Sequence, residues 1–305
     1  MAFICNICGS HNDAESFGTE AASCACGSNV RLRALIHLLS MELFGQSLVL
    51  TEFPKLKAIR GLGISDQQGY ARILAEKFDY TNTFYDREPR LDLAESHPEL
   101  RGSYDFILLA DVIEHIAPPL ERALEEAHRL LKPRGFLGIT IFCNPADQMH
   151  EHFPDLNEFR IVSLGKSPVL INRRPDGTLE IRDDLIFHGG AGATLEMREF
   201  GITALNAKLL AAGFLEVHLL TENLPKIGIL FDENVSQPLI ARKEPFVMEK
   251  WARSQMIDEW LGLWNNISED RQRANLLAAQ IRLAAESRWV RLGRMFGVGP
   301  KFTLP

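Results

Sequence analysis

The stretch Tyr104-Asp-Phe-Ile-Leu-Leu-Ala110, followed at once by Asp111-Val-Ile-Glu114-His115, decides the fold. A short, unbroken apolar run without helical spacing reads as a strand buried on both faces, the kind found in parallel sheets. Outward from it, strand and helix patterns alternate. Upstream, Leu56–Ile59 is a short apolar strand leading into Gly61-Leu-Gly63-Ile-Ser65-Asp66. Gly69–Phe78 then has helical spacing at Tyr70, Ile73, Leu74 and Phe78, and Tyr80–Tyr85 is a second strand running into Asp86. Downstream, Leu120–Leu131 is a helix stopped by Lys132-Pro133-Arg134-Gly135, and Phe136–Phe142 is another buried strand. Such alternation predicts βαβ units: an α/β, doubly wound, mostly parallel sheet with helices on both faces. Ligands of such sheets bind beyond the carboxyl ends of the strands. Gly61–Asp66, Asp86 and Asp111–His115 all fall there.

Composition bounds the function. The 305 residues are 46% hydrophobic and 24% charged, which excludes a largely disordered chain. Lys and Arg number 33 against 40 Asp and Glu, a formal net charge of −7, so no global basic field gathers nucleic acid. No apolar run approaches the roughly 20 residues of a membrane span. The start lacks the pattern of a signal peptide, and the expected location is a reducing cytoplasm.

Four of the five cysteines fall in the first 26 residues, as Cys5-x-x-Cys8 and Cys24-x-Cys26. Without secretion signals, this clustering favours a metal over disulfides. Gly9 and Gly27 follow the two pairs and allow the backbone to turn toward the sulfurs. Four thiolates close a tetrahedral zinc shell, so the expected ion is structural Zn2+ held by Cys5, Cys8, Cys24 and Cys26. The lone Cys143 reads as a core residue. Asn29–Leu39 is an amphipathic helix carrying Arg31 and Arg33, for which salt bridges to the next domain are the expected fate.

A Gly-x-Gly after a strand is compatible with NAD, FAD or S-adenosylmethionine. The dinucleotide fingerprint wants a third glycine where this chain has Asp66, and a carboxylate there repels a pyrophosphate at the helix N-terminus. A cationic sulfonium has no such conflict. The candidate cofactor residues are Gly61, Gly63, Ser65, Asp66, Asp86 (for the ribose hydroxyls), Asp92 and Leu93 (for the adenine), and Asp111.

Tyr104–Gly135, with DVIEH at 111–115 and LLKPRG at 130–135, resembles class I S-adenosylmethionine-dependent methyltransferases. Such proteins have seven-stranded sheets with a final antiparallel strand, for which the Phe214–Phe231 region is the expected source. More narrowly, GLGISD, YTNTFYDREPRLDL, DVIEHIAPPLERA and FHGGAGATLEMREF resemble a set of bacterial methyltransferase-domain proteins often found beside surface-glycan functions. The cysteine head looks like the zinc knuckles on some related methyltransferases. Most of the superfamily has an acidic residue just before the glycines; here Ile59-Arg60 stands there, and Asp66 is read as its substitute. The resemblance implies methyl transfer from S-adenosylmethionine to a small-molecule or glycan-precursor acceptor, with a hydroxyl expected. An RNA or protein methyltransferase using the zinc head to grip its substrate, and a non-catalytic cofactor-binding scaffold, are the alternatives.

Candidate proton acceptors are His115 and His188, the latter before two glycines that permit close ligand approach. His150, His152 and Asp155 read as solvated rather than as a metal set. The expected domains are a head and linking helix at 1–45, an α/β domain at 46–245 and a helical tail at 246–305. An insertion at about 144–200 caps the ligand end, with a hairpin around Pro175-Asp176-Gly177. In the tail Leu277, Ile281, Ala285, Trp289, Leu292 and Phe296 form one helical stripe on a locally basic segment. It is expected to dock on protein, with a second copy of the chain or an anionic membrane surface as other partners.

Overall fold

The structure, a computed structural model, describes residues 2–13, 23–144, 147–165, 167–188, 194–231 and 236–286. A small antiparallel pair, β1 (Ala2–Ile4) and β2 (His11–Asp13), opens the chain. Helix α1 (Val30–Phe44) starts where the Asn29 side chain accepts the Leu32 amide and ends at left-handed Gly45. Then follow β3 (Leu56–Ile64), α2 (Gln68–Lys77), β4 (Phe78–Thr83), β5 (Tyr104–Ala110), α3 (Leu120–Leu130) and β6 (Leu131–Ile141). Parallel pairing joins β4, β3, β5 and β6 in that order. The buried positions of α3 (Leu120, Ala123, Leu124, Ala127 and Leu130) recur at three and four residues, and that stripe packs on the sheet.

The cap follows. It comprises β7 (His150–Glu151), β8 (Glu158–Leu164), β9 (Ser167–Arg173), β10 (Leu179–Arg182), β11 (Phe187–His188), β12 (Thr194–Leu195) and β13 (Arg198–Glu199). Strands β8, β9 and β10 form a separate antiparallel sheet, and the β9–β10 turn closes around Pro175-Asp176-Gly177. The main sheet is completed by α4 (Ile202–Ala211), β14 (Glu216–Leu219) and β15 (Gln237–Arg242). Strand β15 lies antiparallel between β6 and β14.

Two expectations about this sheet are corrected. Among the described residues it has six strands in the order β14-β15-β6-β5-β3-β4, not seven. Between β4 and β5 the chain makes one isolated bridge, Phe84 to Arg90. Residues 84–100 hold Pro89, Pro98 and many charges, so they offer neither a full set of amide donors nor an apolar run for another strand. The inserted antiparallel strand is Gln237–Arg242, not the apolar run at 227–231, which enters a short turn at Pro225–Ile227.

Residues up to 252 cluster as one compact unit, and the described residues 253–286 fall outside it. Helix α1 packs on β6 and β15 as part of the helical layer. In the tail, α5 (Lys250–Glu286) is helical as expected; the stripe beyond Leu277 lies outside the described side chains. No helix among the described residues is long and apolar enough to cross a membrane.

One face of the sheet carries a row of rings with a gap. Phe136, Phe106, Gly61 and Tyr80 stand side by side on β6, β5, β3 and β4. Phe106 stacks on Phe136 at 6.0 Å between centroids and on Tyr80 at 6.1 Å. The strands of Tyr80 and Phe106 are not neighbours and lie about 9.6 Å apart at the usual spacing. Their rings meet because Gly61 between them has no side chain. A Cβ on Gly61 would overlap the Phe106 ring, and one on Gly63 would overlap the Tyr80 hydroxyl and the Asp66 carboxylate.

Candidate functional site

The carboxyl ends of β3 and β5 are neighbours, and each chain leaves its strand through a left-handed residue that is not glycine. Ser65 has φ 56° and Asp111 φ 53°, conformations that cost free energy and concentrate where ligands are held. The Ser65 amide donates to Thr83 O on β4 at 2.7 Å, and the Asp111 amide to Thr140 O on β6 at 3.0 Å. Those bonds fix both turns against adjacent strands. Asp111 Oδ1 accepts the Thr140 hydroxyl at 3.0 Å, while Oδ2 pairs with the Arg31 guanidinium from α1. The expected salt bridge of Arg31 to the next domain therefore lands at the strand ends themselves.

The eight sequence-derived cofactor candidates divide in two. Ser65 and Asp86 are exposed, and Asp92 and Asp111 are half-buried. Asp86 lies three residues past Thr83, the last residue of β4, rather than at the strand's end; Asp92 caps the turn at Ala94 through Oδ1 at 2.9 Å. The other four face inward. Gly61 and Gly63 belong to β3, where they make room for the Phe106 and Tyr80 rings. Leu93 is covered by the core. Asp66 is 2% exposed, its Oδ2 accepting the Tyr80 hydroxyl and its backbone clasped on both sides by the Asn82 amide group. Burial pushes its pKa up to about 7, with the Tyr70 and Tyr80 hydroxyls working against the rise.

The cysteine head is drawn together. All four Sγ atoms lie within 4.8 Å of one another, with Cys5–Cys26 at 3.8 Å and Cys8–Cys24 at 3.5 Å. A zinc tetrahedron with Zn–S near 2.3 Å has edges of about 3.8 Å. The set therefore fits such an ion. Gly9 and Gly27 take φ of 78° and 83°, and their amides close turns onto Cys5 O and Cys24 O. Arg33, fully buried, ties the head down: its guanidinium donates to Ser23 Oγ, Ser28 O and Gly228 O and lies over the Phe3 ring at 4.7 Å. The second knuckle meets the start of α2, where Gln67 Nε2 donates to Gly27 O at 3.3 Å.

On the cap side, the rings of His115 and His188 meet edge to face at 4.8 Å, though they are far apart in sequence. His115 Nδ1 is 2.9 Å from Leu195 O, and His188 Nε2 is 2.6 Å from Glu196 Oε2. Glu196 Oε1 also takes His152 Nε2 at 2.8 Å, so His152 is engaged rather than solvated, while Asp155 pairs with Arg174 instead. Burial lowers the His115 pKa and pushes that of Glu114 up to about 7. Residues 195–198 clasp the turn after β5: Met197 N donates to Glu114 O, and buried Arg198 donates to Ile113 O and to Glu151. Sequence reasoning missed Glu196 and Arg198, for which the signal available was their placement among apolar Leu195, Met197 and Phe200, and it gave no role to Glu114 beside His115. Cys143 is half-buried against the main core and bridges to Phe200.

A family model described as a methyltransferase domain matches residues 47–137, which run from before β3 into β6 and include Ser65, Asp111 and His115. Residues 47–137 of the chain carry a methyltransferase domain. No curated protein matches the chain. Similar solved structures include the 1,6-didemethyltoxoflavin N1-methyltransferase of Burkholderia thailandensis, with S-adenosylhomocysteine bound. It is 17% identical over 69% of this chain and 78% of its own, at a TM-score of 0.38. A sugar N-methyltransferase from a Streptoalloteichus species is 15% identical over 68% and 85%, at 0.38. An S-adenosylmethionine-dependent methyltransferase from Mesorhizobium loti is 13% identical over 62% and 93%, at 0.32. Likeness at this level says nothing of the acceptor.

At and just beyond the strand ends stand the carboxylates of exposed Asp86 and half-buried Asp92 and Asp111, the last paired with the guanidinium of Arg31 from α1. This charge set suits a zwitterionic amino acid carrying a cationic sulfur and would repel a pyrophosphate.

Proposed function

We propose that the chain transfers a methyl group from S-adenosylmethionine to a small-molecule or glycan-precursor acceptor, at a hydroxyl. The observation that carries this reading is the pair of left-handed turns at Ser65 and Asp111, on adjacent strand ends inside the matched domain. The cofactor supplies an activated methyl on a positive sulfur. Ser65, Asp86, Asp92 and Asp111 are the residues that would hold it, with Arg31 steadied against Asp111 to meet its carboxylate. Fixing the donor against an acceptor under the cap lowers the barrier through orientation, an effect that reaches about 7–11 kcal/mol in well-aligned systems. His115 and His188 are the acceptor-side groups, and the cap strands β11 and β12 carry the segment that resembles the glycan-associated set.

In this reading Cys5, Cys8, Cys24 and Cys26 hold one structural Zn2+, and the protein works in a reducing cytoplasm where those thiols persist. The saccharide acceptor is preferred to RNA because the chain is net acidic.

Calorimetry with S-adenosylmethionine is expected to show saturable binding that Asp111→Ala weakens at least tenfold; no heat from the unaltered protein would overturn the cofactor reading. Radiolabelled methyl transfer onto fractionated cell material is expected to label saccharide. Label in RNA or protein instead would overturn the acceptor class. Metal analysis is expected to find one zinc per chain, and a value well under one would remove the zinc reading.

A further inference from the structure

Two imidazoles and a carboxylate meet beside the turn that follows β5. One ligand atom from each of Glu114, His115 and His188 lies within 4.8 Å of the others. Each ring has one nitrogen engaged by a protein oxygen. A carbonyl only accepts, so His115 Nδ1, 2.9 Å from Leu195 O, carries the ring proton; Nε2 is left with its lone pair, 3.8 Å from Glu114 Oε1. His188 gives Nε2 to Glu196 at 2.6 Å, which leaves Nδ1. Glu196 is steadied in turn by His152. Glu114 is 4% exposed, and its Oε2 is buried with no hydrogen-bond partner.

A histidine whose second nitrogen rests on a carboxylate or a backbone carbonyl is the usual arrangement of a metal ligand, because that bond sets the tautomer and aims the lone pair. A general base for methyl transfer needs one such ring, open to the acceptor. It explains neither the second imidazole nor a buried glutamate with an oxygen left over. The cations that act on Glu114 are both answered, Arg31 by Asp111 and Arg198 by Glu151 at 2.7 Å, so the pocket is not dominated by positive charge.

We propose that Glu114, His115 and His188 form a site for one divalent transition-metal ion, with Glu196 as a positioning residue for His188. Imidazole and carboxylate ligands suit first-row metals, and three protein ligands leave positions open. The three ligands come from the turn after β5 and from β11 of the cap. In the transferase reading an open position takes the acceptor oxygen and lowers its affinity for its proton. Only that role rests on the proposed function; the binding of the ion does not.

Mn2+ alone is the probe, because thiolates take it poorly and the cysteine head stays out of the measurement. Electron paramagnetic resonance of the full chain, titrated with Mn2+, is expected to show one bound ion per chain. Binding is expected to weaken at least tenfold in His188→Ala and Glu114→Gln, and about 10–100-fold in Glu196→Gln. Co2+ added to the unaltered zinc-loaded chain provides a second readout that needs no variant. It is expected to give ligand-field bands without thiolate charge transfer. No Mn2+ uptake by the unaltered chain, or uptake equal in all variants, would overturn the site. Ion binding without methyl transfer to any acceptor would leave the site standing and remove the transferase reading instead.

Discussion

Replacing Asp66 by asparagine tests whether that carboxyl is part of the packed interior, as its surroundings indicate. Its pKa rises from 3.8 to about 7 because burial disfavours the anion more than the Tyr70 and Tyr80 hydroxyls favour it. Unfolded, the same group titrates near ~3.9. Below that value both states hold the proton, and the native state keeps the full benefit. Between about 4 and about 7 the unfolded chain releases a proton that the folded chain retains, so stability falls as pH rises. Above the folded value the loss is complete. Three pKa units at about 1.36 kcal/mol each amount to about 4 kcal/mol, of which about 3 falls between pH 5 and pH 8. Asp66→Asn removes the titration and keeps an oxygen for the Tyr80 hydroxyl. Urea unfolding of both proteins at the two pH values is therefore expected to show the variant gaining about 3 kcal/mol on the parent from pH 5 to pH 8. An identical gap at both values would refute the inward placement of this carboxyl.

Gly61→Ala is expected to lower stability by about 1–3 kcal/mol or more, because a methyl there pushes into the Phe106 ring; a melting temperature equal to the parent's would show that the ring row has slack. Arg33→Met strips the partners from Gly228 O and Ser28 O and is expected to cost about 3–5 kcal/mol, read by thermal unfolding, with a near-neutral result counting against the buried anchor. Arg198→Met leaves Glu151 unpaired and frees the Ile113 carbonyl; limited proteolysis is expected to cut the cap faster while the main sheet stays resistant, and unchanged cutting would speak against the clasp. Tyr80→Phe is expected to destabilise the protein more at pH 8 than at pH 5, since the lost hydroxyl serves the ionised Asp66 best. Equal losses at the two values would contradict that pairing.

What the sequence carried openly was local periodicity. The apolar run at 104–110 and the stripe of α3 are written in consecutive residues, and they stand where they were expected. The cysteine spacing is equally local, and the four sulfurs do converge. Strand β15 stayed hidden because it opens with Gln237-Pro238, and a proline argues against a central strand; its missing amide is tolerated beside β6 and β14. Gly61 and Gly63 looked like a ligand loop because glycines beside an aspartate usually are one. What decides their role is Phe106 and Tyr80 leaning together from strands on either side, a contact no window of sequence contains. The direction of Asp66 depends in the same way on a tyrosine one strand over. His115 and His188 could each be singled out from the residues beside them. That Glu196 would hold one of them, and Leu195 the other, follows only from the return path of the cap.

That return path has a consequence for how the protein could be re-engineered. Leu195, Glu196, Met197 and Arg198 each grip the turn at 113–115 or one of its ring partners, while the outlying sheet at 158–182 pairs only within itself. The two parts are nonetheless packed together, since Leu170 of that sheet shares a core with Leu195 and Met197, so a graft that swaps the sheet keeps this four-residue rivet in register only if it refills the place of Leu170.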